Sequence, residues 1–148
     1  TYEIILIQNL ENDIVKLQSI ITEVINIHKI LVVSSAEVLD NEDIKNGDVI
    51  VPNTFIEKGW EDSIFLDYAI WENFDLQKFS LHLSWICISW ESIDESKEEY
   101  LWDVYEKNMY NVLQQIKTTD SINKTVVICG VNGDDMIENL SAIVGFVL

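Results

Sequence analysis

Carboxyl groups are the chemical groups that this sequence holds in excess. Residues 91–106 read ESIDESKEEYLWDVYE, in which seven of sixteen side chains are acids and one is lysine. Acids at such density can do three kinds of chemistry. They can pair as general acid and base, hold a metal ion, or meet a cationic surface. The first leaves no trace here, because 26 Asp and Glu offer too many pairs to select one by spacing. The second fails where it is best placed. In DNEDIKNGDVI, taking Gly47 as the turn glycine of a calcium loop puts Glu42, Ile44 and Asn53 at its first, third and twelfth positions. Calcium needs oxygen ligands there, ending in a bidentate Glu. Zinc has too few soft ligands, with two His and two Cys in the whole chain.

Nucleophilic chemistry fares no better. Asp67, His82 and Ser84 form a Ser–His–Asp set on paper, but no G-x-S-x-G elbow accompanies them. H-E-x-x-H, P-loop and G-x-G-x-x-G patterns are also absent. The sequence therefore predicts no catalytic residue, no metal ligand and no cofactor.

The third kind of chemistry remains. The 148 residues carry nine Lys and no Arg, for a net charge of −17. Such a chain lacks the cations that neutralise nucleic-acid phosphates and is repelled by an anionic membrane surface. It attracts a cationic partner instead. Segment 37–75 interleaves eleven acids with Trp60, Phe65, Trp71 and Phe74. Aromatics among carboxylates suit a basic protein surface. The expected partner-binding residues are Glu61, Asp62, Asp67, Trp71, Glu72 and Asp75, then Glu98, Glu99, Asp103 and Glu106.

The elements that must position these groups are read from periodicity. YEIILI opens as a strand, and Leu10, Ile14, Leu17, Ile21, Val24 and His28 follow at helical spacing. ILVVS (30–34) is a second strand, so the three read as an α/β unit. Residues 35–62, with Gly47, Gly59 and the only proline, read as loop. SIFLDYAIW (63–71) and FSLHLSWICISW (79–90) read as an antiparallel hairpin. In the first, Ile64, Leu66 and Tyr68 share an apolar face, opposite Phe65, Asp67 and Trp71. Ser92 and Glu95 form a capping box that starts a helix over about 93–117. Along it, Asp94/Glu98, Glu95/Glu99 and Glu99/Asp103 repel at i,i+4, each costing about 0.2–0.5 kcal/mol. KTVVICGV (124–131) is a strand, NGDD a turn, and MIENLSAIVGFVL a helix or a short helix followed by a strand.

The fold class expected is α+β (or α/β), one domain over 1–148. It has one sheet of about five or six strands, with two long amphipathic helices packed on it, in the order β-α-β-β-β-α-β-α. Cys87 and Cys129 sit in apolar runs and read as buried, reduced thiols. No signal peptide or membrane-length apolar run is visible, which points to the cytoplasm. The function expected is an acidic inhibitor or immunity-type protein. It would occlude a basic toxin or effector that acts on nucleic acid, with no enzymatic activity of its own. The alternative from another class is a small carboxylate-based enzyme, perhaps metal-dependent, or an acidic accessory subunit. Carboxyl groups of raised pKa converging at one place would favour the enzyme.

Overall fold

The computed structural model describes residues 3–8, 10–24, 26–39, 42–57, 63–68, 86–89 and 103–147. The first strand–helix–strand unit forms as its periodicity predicts. Strand β1 (Glu3–Ile7) leads into helix α1 (Leu10–Glu23), which returns the chain to strand β2 (Ile27–Val38), parallel to β1. Leu10, Leu17 and Ile21 are buried along one stripe of α1, which packs against a later helix. His28 does not end this helix. It lies exposed in β2, because the chain has already turned at Asn26 to bring Ile27, Ile30 and Leu31 into the core.

Strand β2 is twelve residues long and runs well past the five that its apolar core suggests. Its first part is paired on both sides, with β1 and with the later strand β8 (Thr125–Val131), in parallel register. Such a strand buries both faces and reads as an unbroken apolar run. Ile30, Leu31 and Val32 are accordingly buried. Its last part, Glu37–Val38, pairs antiparallel with strand β7 (Val104–Tyr105) in a second group of strands.

The stretch read as loop supplies two short strands. Strand β3 (Val49–Ile50) adds antiparallel to β8, and strand β4 (Thr54–Glu57) enters the second group. Strand β5 (Ser63–Phe65) pairs antiparallel with β4, and strand β6 (Ile86–Ser89) pairs parallel with both β4 and β7. The full order is β3-β8-β2-β7-β6-β4-β5, with β1 on β2. The predicted hairpin of 63–71 with 79–90 is thus corrected, since β4 lies between β5 and β6. Its apolar face survives. Ile64, Leu66 and Tyr68 are buried, while Phe65 and Asp67 are exposed. Trp71, His82 and Ser84 lie outside the described residues.

The predicted helix over 93–117 is shorter. Helix α2 spans Met109–Lys117 and follows the β7 residues Val104 and Tyr105, a β-branched and an aromatic residue held extended by β2 and β6. Residues 91–102, with the capping box, lie outside the described residues. Met109, Val112, Leu113 and Ile116 are fully buried beneath α2. Helix α3 (Met136–Val147) closes the chain as a helix and packs on β8 and β3. The sheet is therefore of mixed α/β type with eight strands and three helices among the described residues, more strands than the sequence predicts. No helix among them is long and apolar enough to cross a membrane.

Two close approaches fix the turn after β8. Gly47 takes φ +89° and donates its N–H to Val131 O at 2.9 Å. A Cβ on Gly133 would stand 2.5 Å from the Gly47 nitrogen and 2.7 Å from the Asn46 carbonyl carbon. Backbone cannot yield as a side-chain end can. Gly133→Ala is expected to cost about 1–3 kcal/mol. Gly145→Ala, inside α3 with nothing within 4 Å of the added atom, is expected to gain up to about 0.5–1 kcal/mol. Urea midpoints at constant slope measure both, and equal midpoints for the two variants contradict this packing.

Candidate functional site at the junction of two strand groups

Where β2 leaves one group of strands for the other, polar and titratable side chains collect. Ser34 on β2 lies with its Oγ 3.6 Å from Cys129 Sγ on β8. Glu37 faces Tyr105 across the β2–β7 pair. Beyond Tyr105 comes Glu106, in the short link between β7 and α2. An open sheet of parallel strands leaves a crevice where its strand order changes direction, and ligands bind there.

Glu106 is the most perturbed carboxyl group described. Its Oε2 accepts a hydrogen bond from Asn108 N at 2.9 Å. Burial nevertheless dominates and pushes its pKa from an ordinary 4.5 up to about 7, against the backbone N–H groups of Asn108 and Met109 and the charge of Lys107. Ser89, buried on β6, locks the same link. Its hydroxyl donates to Glu106 O at 2.5 Å and accepts from Tyr110 N at 3.2 Å. Burial raises the Tyr105 phenol, and the negative charges of Glu106 and then Glu37 add to it. Both carboxyl groups thus lie within electrostatic reach of one half-buried phenol.

Behind this link lies a buried sulfur pair. Cys87 and Cys129 are free and buried, on strands that are not neighbours. A hydrogen bond with Cys129 and then burial hold the Cys87 thiol well above its usual value. Thiols so placed are poor nucleophiles. Tyr68 closes the space, donating to Pro52 O at 2.6 Å and accepting from Val127 N at 3.3 Å. Its phenol is raised mainly by burial.

Of the ten residues expected to bind a partner, three are described. Asp67 is exposed beside β5. Asp103 accepts from Ile86 N at 2.8 Å and so ties β7 to β6. Glu106 is half-buried in the link between β7 and α2. Glu61, Asp62, Trp71, Glu72, Asp75, Glu98 and Glu99 lie outside the described residues. Among the described residues, no three His, Cys, Asp or Glu side chains converge as a metal site. Ser34, Glu37, Ser89 and Tyr105 went unnoticed in the sequence, because nothing local signals a junction made by strands far apart in the chain.

The sequence matches no family model and no curated protein. Its fold has clear likenesses. The P. knowlesi homolog of P. falciparum PNP superimposes with a TM-score of 0.68 at 15% identity, over 89% of this chain and 64% of that one. Futalosine hydrolase of H. pylori gives 0.61 at 14% identity, over 90% and 70%. The 5′-methylthioadenosine/S-adenosylhomocysteine nucleosidase of S. pneumoniae gives 0.57 at 13% identity, over 92% and 69%. The chain spans less than two thirds of the P. knowlesi protein's length. Its mixed α/β fold is the one shared by these nucleoside phosphorylases and nucleosidases.

These likenesses correct the functional expectation. An acidic immunity-type inhibitor with a basic toxin as partner and no enzymatic activity is overturned, because the chain is built like enzymes named for small nucleosides. Acidity misled because net charge speaks for solubility and steering and not for fold.

The raised carboxyl makes a stability test. A group whose folded pKa exceeds its unfolded one favours the fold most when protonated. The contribution of Glu106 is therefore complete below about pH 4.5 and is lost as pH rises through about 7. Glu106→Gln cannot ionise. Its stability relative to wild type is expected to rise between those pH values by up to about 3 kcal/mol and then to level off. Urea unfolding of both proteins from pH 4 to 9 measures this, and a difference independent of pH contradicts the burial of Glu106.

Proposed function

We propose that this chain is a nucleoside-processing α/β domain that breaks the bond between a base and its sugar, with water as acceptor. The fold likeness to several nucleoside-processing enzymes carries this reading. The environment of Glu106 supports the chemistry. A general acid works best with a pKa near the working pH, and burial gives Glu106 one of about 7.

In the step proposed, the C–N bond breaks and its electron pair stays on the base. Protonated Glu106 delivers a proton to the departing base. A water oxygen bonds to the anomeric carbon and gives its proton to the Glu106 carboxylate, so base and free sugar result and the acid is restored. Glu37, across from Tyr105, is the second carboxyl group near enough to favour positive charge on the sugar. Water is favoured over phosphate because the chain has no Arg and a net charge of −17, a poor setting for a dianionic acceptor.

Purified protein offered inosine, adenosine and 5′-methylthioadenosine, with and without inorganic phosphate, is expected to release free base at a rate independent of phosphate. The rate is expected to fall above about pH 7 and to drop about 100-fold or more in Glu106→Gln. Absence of base release from every nucleoside overturns the reading. Release that needs phosphate keeps the substrate and overturns water as acceptor.

A further inference from the structure

At the opposite end of β2 from Glu106, roughly 36 Å along a twelve-residue strand, lies an open cavity of about 580 Å³. It is bounded by the last turn of α1, the turn after α2, the start of β2 and the turn before β8. Its apolar floor is Ile21, Val24 and Ile27. The remaining lining residues are Gln18, Thr22, Thr118, Thr119, Ser121 and Lys124.

These polar groups are built in, with capacity to spare. Gln18 Nε2 donates to Thr118 Oγ1 at 3.1 Å and ties α1 to the end of α2. Thr22 donates to Gln18 O, and Thr119 donates to Ile116 O at 2.7 Å, so each keeps hydroxyl lone pairs to accept with. Lys124 Nζ donates to Ile27 O at 3.0 Å and has two further N–H groups. Ser121 is only 8% exposed. Its hydroxyl makes no capping bond, and no other partner for it is found among the described residues. A buried hydroxyl without a partner is costly unless something else meets it.

We propose that this cavity is a second binding site, for a neutral polyhydroxylated molecule of the size of a sugar. Each hydroxyl of such a ligand both donates and accepts, which matches donors on Lys124, Gln18 and Ser121 beside acceptors on Thr22 and Thr119. The apolar floor takes the C–H face of the ring. An anion is disfavoured. The helices α1 and α2 both end here with their negative poles, and the protein carries −17 against a single lining cation. A cation is disfavoured by Lys124. The site stands on this geometry alone and does not rest on the proposed reaction.

Amide NMR titration with D-ribose tests it, with inorganic phosphate as the second probe. Ribose is expected to shift the amides of Thr119, Ser121 and Lys124 saturably, with a Kd on the order of millimolar for a ligand of about ten heavy atoms. Ser121→Ala removes a hydroxyl that supports nothing else, so the fold is retained, and it is expected to weaken ribose about fivefold or more. Lys124→Met is expected to weaken ribose similarly. Both variants leave the pH dependence conferred by Glu106 unchanged. No saturation, equal affinity in Ser121→Ala, or saturation by phosphate in place of ribose overturns the proposal.

Discussion

Strand β2 is the constraint from which the rest of the molecule follows. Twelve residues of one strand serve two groups of strands. The first part needs hydrogen-bonding partners on both edges and apolar cover on both faces, and β1, β8 and the helices supply them. Ala36, buried and small, ends the register with β8, and the very next residue begins the register with β7. A parallel pair cannot be closed by a tight turn, so α1 must lie between β1 and β2. The same geometry places Glu37 opposite Tyr105 and sets Glu106 in the link that leaves the junction. Chemistry therefore gathers at the point where one backbone changes partners.

What could be read from the sequence follows from how local each signal is. The α1 stripe of Leu10, Leu17 and Ile21 and the run VVICGV are local patterns, and they appear in the structure where their periods put them. The faces of Ile64, Leu66 and Tyr68 against Phe65 and Asp67 are local as well. The short strands are not. Val49–Ile50 and Val104–Tyr105 have two residues each, too few to show a period of two. Val104 and Tyr105 also fit the helical spacing that continues into α2, and only pairing with β2 and β6 decides between them. The exchange of an expected β5–β6 hairpin for β5–β4 and β4–β6 pairs has the same origin. Proximity in sequence predicts pairing only on average.

The candidate site was hidden by abundance and not by absence. Glu106 belongs to the acidic stretch 91–106 and looks there like its neighbours. Its distinction is burial, in a link whose backbone is held by Ser89 from another strand. With 26 acids, a chain shows its charge loudly and the one clearly perturbed carboxyl among its described residues not at all. The same charge that suggested a basic partner weighs against anionic co-substrates. A surface property can narrow the chemistry of a site without indicating the fold that holds it.

Helix α2 meets both ends of the molecule. The N–H groups of Asn108 and Met109 at its start hold the Glu106 pKa down against burial, and Thr118 and Thr119 just past its end wall the opposite cavity. Coupling between the two ends would require α2 to have two positions. Met109, Val112, Leu113 and Ile116 are each fully buried, and a close-packed interior resists the sliding that a second position needs. Ser89 pins the first turn further through Tyr110 N. The helix therefore works as a fixed spacer. A ligand bound at Thr119 and Ser121 adds its binding energy to the stability of the fold and leaves the proton of Glu106 where it is.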